Sequence, residues 1–396
     1  MKYAIILPDG AADEPVEALN GQTPLAAART PNLDWIASHG QVGTVRTVPA
    51  GYTPGSDVAT LSVLGYSPKA CYTGRAPIEA AARGIALGPD DIVFRCNLVT
   101  IADGKMEDFS AGHIHNEESH RIIQDINRQL GGDGIEFFCG VSYRHLMVWR
   151  NANGLKVTTT PPHDIHAQPV EKYLPTGAGS DRLRALMTRS QEILAAHEVN
   201  VVRRDLGENP ATSIWLWGEG QMPMLPSFVQ QYGVRGALIA AVDLVRGLGN
   251  LVGWKLIDVA GATGYLDTNY AGKGQAGAKA LDEFDIVAVH VEAPDEAGHI
   301  GDTRAKVAAI EQVDRHVVGP LLTKLQTFSD WRILVVPDHP TPINKRTHTM
   351  DPPPFCLAGS NVAPGGIARF IERLANQSTL KVDPGHELME YFIKGR

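Results

Sequence analysis

The stretch Arg332 to Thr349, RILVVPDHPTPINKRTHT, decides how the rest of the chain is read. Ile333 to Val336 is a short apolar run rich in Val and Ile, as expected of a strand covered on both faces. It ends in Asp338-His339, and His348 follows nine residues after His339. In open α/β sheets, ligands bind just beyond the carboxyl ends of such strands, so this stretch puts three candidate metal ligands at a sheet edge. By itself the pattern also fits a capped turn.

Two other stretches repeat it. Tyr3 to Leu7 is an apolar run halted by Pro8-Asp9-Gly10, and Asp285 to Val291 (DIVAVHV) leads into Asp295 and, four residues later, His299. Spacing of i, i+4 places two side chains on one side of a helical turn. His290, inside that strand, and His316, beside the stripe of the following helix, read as structural. Parallel strands bring their ends together, so Asp9, Asp295, His299, Asp338, His339 and His348 are expected to share one site. Six mixed carboxylate and imidazole donors exceed what one tetrahedral ion uses and predict two ions. Mixed oxygen and nitrogen donors suit Mn or Zn better than Mg or Ca.

Between these strands, Pro54-Gly55-Ser56-Asp57 is a tight turn feeding a helix. A serine there either caps the helix or is a nucleophile at a helix N-terminus, where backbone N–H groups favour a phosphate ester. Thr30-Pro31 opens a helix that runs to His39, with Thr30 as its cap. From about Tyr72 to Tyr232 the chain changes to short segments broken by Gly and Pro, with one amphipathic helix over Glu118 to Leu130 and strand-like runs at Leu146 to Trp149 and Ile214 to Trp217. This predicts a separate α+β unit. Apolar periodicity resumes over Ala237 to Leu248, and Leu256 to Val259 is strand-like. Gly272, Gly274 and Gly277 fit GxGxxG but lack the βαβ context of a dinucleotide site, which leaves Lys273 as the anion-binding candidate there. Asp302 caps a long helix with Val307, Ile310, Val313, Val317 and Leu321 facing the core.

Composition narrows the function classes. The 396 residues carry a formal charge of -8, 43% hydrophobic and 20% charged residues, ordinary for a soluble globular protein of two or three units. The acidic balance argues against a nucleic-acid partner. The four widely spaced cysteines read as reduced thiols of a cytoplasmic protein, and no apolar run has membrane-spanning length.

The order Asp9, Ser56, Asp295, His299, Asp338, His339, His348 resembles the alkaline phosphatase superfamily. The strings PGSDVATLSVLGY, YTGRAPIEAAARGI, FRCNLVTI, DFSAGHI, GVSYRHL, PPHDI, GATGYLDTNYAGKG and PDEAGHIGD resemble the archaeal-type, cofactor-independent phosphoglycerate mutases over nearly the whole chain. The resemblance implies an α/β, alkaline-phosphatase-like sheet with helices on both faces. It would form a metal-binding core, residues 1–71 and 233–396, interrupted by a substrate-binding lid, residues 72–232. It implies Ser56 as nucleophile and phosphoserine carrier. Asp295, His299 and His348 would hold one ion, and Asp9, Ser56, Asp338 and His339 the other. His113, Arg144, His145, His163 and Asp164 of the insert would grip the substrate, with Lys273 near the transferring phosphate. The expected reaction is interconversion of 3- and 2-phosphoglycerate, by a monomer or small homo-oligomer acting on a small phosphorylated metabolite.

The chain departs from the family pattern at Pro340, in Asp-His-Pro-Thr-Pro where Asp-His-Ser-Thr-Pro is usual, and at VEAPDEAGH where KGPDEAGH is more usual. These changes resemble a bacterial subgroup for which a homoserine kinase role has been proposed, so an ATP-dependent phosphotransferase on homoserine stands as the alternative. A non-catalytic metal-binding homologue is the third reading, and the intact ligand set counts against it.

Overall fold

A computed structural model describes residues 1–152 and 154–395. The chain divides into two compact units, Met1–Tyr72 with Met224–Arg396, and Thr73–Pro223.

The first unit is built on an eight-stranded mixed sheet. Its centre is the Lys2–Pro8 strand, which pairs in parallel with Ile286–Val291 on one side and Trp331–Val335 on the other. Ile6 lies level with Val289 and with Val335, so three strands finish on one line. Antiparallel strands Pro354–Gly359 and Gln41–Val45 extend the sheet beyond Trp331–Val335. Ala4 and Ile6 pack against Val317 and Leu321 of the helical run that begins at Thr303. The alternate residues Ile5 and Leu7 are equally buried, and Tyr3 meets Phe392 of the C-terminal helix Glu387–Lys394 edge-on. The sheet is therefore covered on both faces, which is why its strands read as unbroken apolar runs.

The run after Asp302 is continuous through Leu325, with one π-helical turn over Asp314–Val318. Asp302 caps it by accepting the Ala305 N–H at 2.9 Å. The glycines of the GxGxxG pattern lie inside the helix Tyr270–Ala280. A Cβ on Gly274 would strike the His316 carbonyl oxygen, and one on Gly277 would come within 2.9 Å of Val289 Cγ2. These glycines serve close helix packing.

Several expectations are revised. The stretch Ala237 to Leu248 is a strand, Gly236–Ile239, followed by a helix, Asp243–Leu251. Leu256 to Val259 contributes only the two-residue strand Lys255–Leu256. Thr30 precedes the helix Pro31–His39 without capping it through its side chain. Residues Met224–Tyr232 belong to the first unit, because Phe228 packs on Trp254 at 4.9 Å and the Tyr232 hydroxyl donates to Gly65 O at 3.2 Å.

The second unit is a five-stranded antiparallel sheet around the long strand Ile92–Ala102, which pairs with Arg144–Trp149 and with Ser213–Gln221. The helices Asn116–Leu130 and Ser180–Ala195 supply Ile122, Ile123, Ile126, Leu183 and Met187 to its main core. The helix Arg75–Ala82 packs Ala76 and Ala80 against Val93, Leu146 and Val148 in a second cluster.

Candidate metal centre and active site

Each aligned strand of the first unit ends in a donor. Asp9 follows Lys2–Pro8, Asp338 and His339 follow Trp331–Val335, and Asp295 stands in the first turn of the helix Ala293–Ile300 just after Ile286–Val291. The sequence dictates this placement: apolar strands must be buried, and the first polar residues after them emerge where the sheet stops.

Asp295, His299 and His348 form one group, with a ligand atom of each within 4.8 Å of the others. His299 Nε2 is 3.1 Å from Asp295 Oδ2, and His348 Nε2 is 3.5 Å from Asp295 Oδ1. The two imidazole Nε2 atoms are only 2.9 Å apart. Their Nδ1 atoms face backbone carbonyl oxygens, of Arg346 at 3.1 Å for His299 and of Pro54 at 3.2 Å for His348. A carbonyl can only accept, so both Nδ1 atoms carry hydrogen and both neutral rings turn bare nitrogen lone pairs toward one carboxylate. Only a cation reconciles that arrangement. With a proton in that role, the hydrogen bond to Asp295 pushes His299 up to about 9. Burial would raise the Asp295 carboxyl, but the hydrogen bonds from His299 and His348 hold it well below the usual range. A metal ion would displace the proton.

Asp9, Asp338 and His339 form the second group, all fully buried. Asp9 Oδ1 and Asp338 Oδ2 have no hydrogen-bond partner, and His339 Nε2 lies 3.6 and 3.4 Å from them. Burial first, then the neighbouring Asp338, Glu292 and Asp295 carboxylates, push the Asp9 carboxyl well up. Orphaned carboxylate oxygens facing an imidazole nitrogen fit a divalent ion. Ser56 opens the helix Ser56–Val63 without capping it: its Oγ lies 3.2 Å from Asp9 Oδ2 and 3.3 Å from His339 Nε2. Of the two roles the sequence left open for this serine, the cap is excluded.

A third group is one the sequence reading missed. His290 Nε2 is 2.8 Å from Asp9 Oδ2, and Glu292 Oε2 is 3.5 Å from His290 Nε2. Burial pushes His290 down to about 4 and Glu292 up to about 8. The signal was present: His290 is the last-but-one residue of the strand Ile286–Val291 and Glu292 is the first residue after it, the kind of position that supplies the other donors. Lys273 is fully buried and donates to the His290 carbonyl at 3.1 Å, with burial pushing its ammonium down to about 8. It stands behind this group, within the helix Tyr270–Ala280.

In the second unit, rings and cations make a continuous array. His113 lies 6.0 Å from Tyr143, Tyr143 lies 6.2 Å from Phe109, Phe109 lies 6.2 Å from His163, and His163 lies 5.4 Å from Trp217. Arg95 stacks over Trp217 at 4.3 Å and pairs with Glu79 at 3.1 Å, while exposed Arg144 lies over Tyr143 at 5.5 Å. Asp164 sits 3.5 Å from His163. The structure thus brings His113, Arg144, His163 and Asp164 together and adds Arg95. His145 is not with them: it points into the core, accepts the Gly140 N–H at 2.9 Å, and burial pushes it down to about 3.

This chain is 50% identical over 398 residues to a probable 2,3-bisphosphoglycerate-independent phosphoglycerate mutase of Geobacter sulfurreducens, covering 99% of this chain and all of the relative. The chain belongs to the 2,3-bisphosphoglycerate-independent phosphoglycerate mutase family. A Methanothrix thermoacetophila mutase of that description is 48% identical over the full length of both chains. The family model described by the same words matches residues 37–200. Among solved structures, the cofactor-independent phosphoglycerate mutase of Thermoplasma acidophilum superposes with a TM-score of 0.71 at 26% identity, covering 100% of this chain and 99% of that one. A Pyrococcus horikoshii protein gives 0.85 at 29% identity, covering 99% and 96%. The expected α/β fold and family of isomerases are both borne out. Among the described residues, no helix is long and apolar enough to cross a membrane.

Proposed function

We propose that the chain interconverts 3-phosphoglycerate and 2-phosphoglycerate in glycolysis and gluconeogenesis, through phospho-Ser56 on a site holding two ions of Mn or Zn. The carrying observation is the Ser56 hydroxyl, held between Asp9 and His339 at a helix N-terminus in a chain alike from end to end to mutases. One ion would be held by Asp295, His299 and His348, the other by Asp9, Ser56, Asp338 and His339. Such ions polarise the phosphoryl oxygens and lower the serine pKa.

The chain's own residues do the rest. Ser56 Oγ gives up its proton toward the Asp9 carboxylate and bonds to phosphorus, the bond from phosphorus to the substrate's 3-oxygen breaks, and that oxygen takes a proton. Glycerate reorients, and its 2-hydroxyl attacks phospho-Ser56, returning the electron pair to the serine oxygen. The amides and dipole at the start of Ser56–Val63 favour the phosphate in both steps. The insert acts as the substrate-binding lid, with Arg144 and Arg95 as cationic partners for the carboxylate, His113 and His163 as hydrogen-bonding partners, and Asp164 for a hydroxyl. Water must be kept from phospho-Ser56, because hydrolysis would leave a phosphatase. The free thiols suit the cytoplasm.

Pro340 takes part in backbone bridges with Ala11 and Ala12 and accepts the Thr349 N–H at 3.0 Å, so this departure alters the loop between donors and not a donor. The test pairs 3-phosphoglycerate, read through enolase, with homoserine plus ATP, read as phosphohomoserine, on Mn-loaded protein. Turnover of 3-phosphoglycerate without added bisphosphoglycerate, abolished by chelator and by Ser56→Ala, is expected. Phosphohomoserine alone would overturn the substrate assignment; transfer surviving in Ser56→Ala would overturn the covalent route.

A further inference from the structure

His299 and His348 are oriented by backbone carbonyls, but His339 is oriented by a side chain. Its Nδ1 lies 3.3 Å from the hydroxyl of Thr341, and the same hydroxyl is bonded to Asp295 Oδ1. Thr341 is fully buried and its place is over-determined. Its N–H donates to Ala12 O at 3.2 Å, and its carbonyl accepts from Lys306 Nζ at 2.8 Å. Two glycines make room for it: a Cβ on Gly10 would lie 2.6 Å from Thr341 Oγ1, and one on Gly298 would lie 2.9 Å from Thr341 Cγ2.

We infer that Thr341 is a positioning residue that sets the His339 tautomer and couples the two ligand groups through one hydroxyl, an inference that rests on the two-ion reading above. The polarity follows from counting protons. Asp295 is a carboxylate whose Oδ1 faces His348 and whose Oδ2 faces His299, and it can only accept, so the single hydroxyl hydrogen of Thr341 goes to Oδ1. The Thr341 oxygen is left to accept, so His339 Nδ1 carries hydrogen and donates. His339 Nε2 is then bare and faces Asp9, Asp338 and Ser56, as a metal ligand must. The chain of bonds from His339 Nδ1–H through Thr341 O–H to Asp295 runs from one ligand group to the other. An ion that fixes Asp295 thereby fixes the hydroxyl and with it the ring at the other site, and the coupling is reciprocal.

Two measurements on the full chain test this. The first is the tautomer of His339 in metal-free protein, by nitrogen NMR on histidine-labelled material, with the signal assigned by its absence in His339→Gln. Hydrogen on Nδ1 is expected, and hydrogen on Nε2 overturns the inference whether or not any variant folds. The second is Mn2+ calorimetry on Thr341→Val, which keeps the shape and loses the hydroxyl, and Thr341→Ser, which keeps the hydroxyl and loses the methyl. Valine is expected to weaken binding of at least one ion by about 10–100-fold, with serine restoring it to within about threefold. Two ions bound to the valine variant with wild-type affinity, or serine no better than valine, would show that the residue only packs. Absence of Mn2+ binding by the wild type would sink the two-ion reading instead, while the tautomer measurement still judges Thr341.

Discussion

Gly10→Ala tests the site without replacing a donor residue, by crowding Asp295 Oδ1 and its neighbours. Gly10 follows Asp9 at φ +59, a left-handed conformation that costs a non-glycine residue about 1–2 kcal/mol. The added Cβ would lie 2.6 Å from Thr341 Oγ1 and 2.7 Å from Asp295 Cα, where ordinary contact begins at 3.4 Å. Thr341 is boxed in by Ala12, Lys306 and Gly298, so the backbone carrying Asp295 has to yield by about 0.7 Å. A displacement approaching 1 Å costs about 10²-fold in rate at a positioned catalytic group, and a comparable loss of metal affinity removes about 2.7 kcal/mol of ligand-induced stabilisation. The expected outcome is a modestly less stable metal-free protein, a much smaller rise in Tm on adding Mn2+, and kcat down about 100-fold. Thermal melts with and without Mn2+ and the enolase-coupled assay read all three. If the variant keeps both its Mn2+-induced Tm rise and a kcat within about threefold of wild type, the claim that Asp295, Thr341 and Gly10 are mutually locked is wrong.

Lys306→Met should strip the partner from Asp13, which it meets at 2.7 Å with both side chains fully buried; a loss of about 3–5 kcal/mol in urea unfolding is expected, much of it recovered by also replacing Asp13 with an apolar residue. Glu372 is pushed from 4.5 to about 7, by burial against its bonds to Thr23 and the Asp13 N–H. Between those values the unfolded chain gives up the proton that the folded chain keeps. Stability should therefore fall on the order of 2 kcal/mol as pH rises from 4.5 to 7, and Glu372→Gln should flatten that slope in unfolding curves taken across the range. Arg144→Gln should raise KM for 3-phosphoglycerate by about 10–100-fold, the worth of a hydrogen bond to a charged group, with Mn2+ binding unchanged because the residue lies on the insert.

The metal donors were legible because a physical rule locates them: Asp9, Asp295 and Asp338 are the first acidic groups after apolar strands that have to be buried. What hid His290 was the same rule applied in reverse, since a histidine inside such a strand reads as packing. Only the register shows that its Nε2 meets Asp9. Arg95 was obscured in the same way, sitting in a core strand whose apolar neighbours dominate the pattern, although stacking on Trp217 makes a buried guanidinium tolerable. The setting of Lys273 was hidden because the three closely spaced glycines Gly272, Gly274 and Gly277 do not read as a helix, and the close approach of the neighbouring helix that gives Gly274 its role leaves no periodic trace. Thr341 could not be read at all. Its part depends on a hydroxyl between two residues 44 apart in sequence, which composition and spacing do not encode.

The central position of the Lys2–Pro8 strand has a consequence for biogenesis. Tyr3 lies opposite Ile286 and Arg332, so neither edge of that strand has its neighbour until more than half of the core has left the ribosome. At about 5–20 residues per second, the roughly 280 intervening residues take on the order of 15–60 s. In that interval the insert, whose antiparallel strands all lie within Thr73–Pro223, has everything it needs to fold, while an apolar strand with two unpaired edges waits. Truncated or stalled chains that stop short of Trp331 would thus carry a finished insert and an aggregation-prone stub. Added metal could not rescue them, because Asp338, His339 and His348, donors from both groups, are among the residues still unmade.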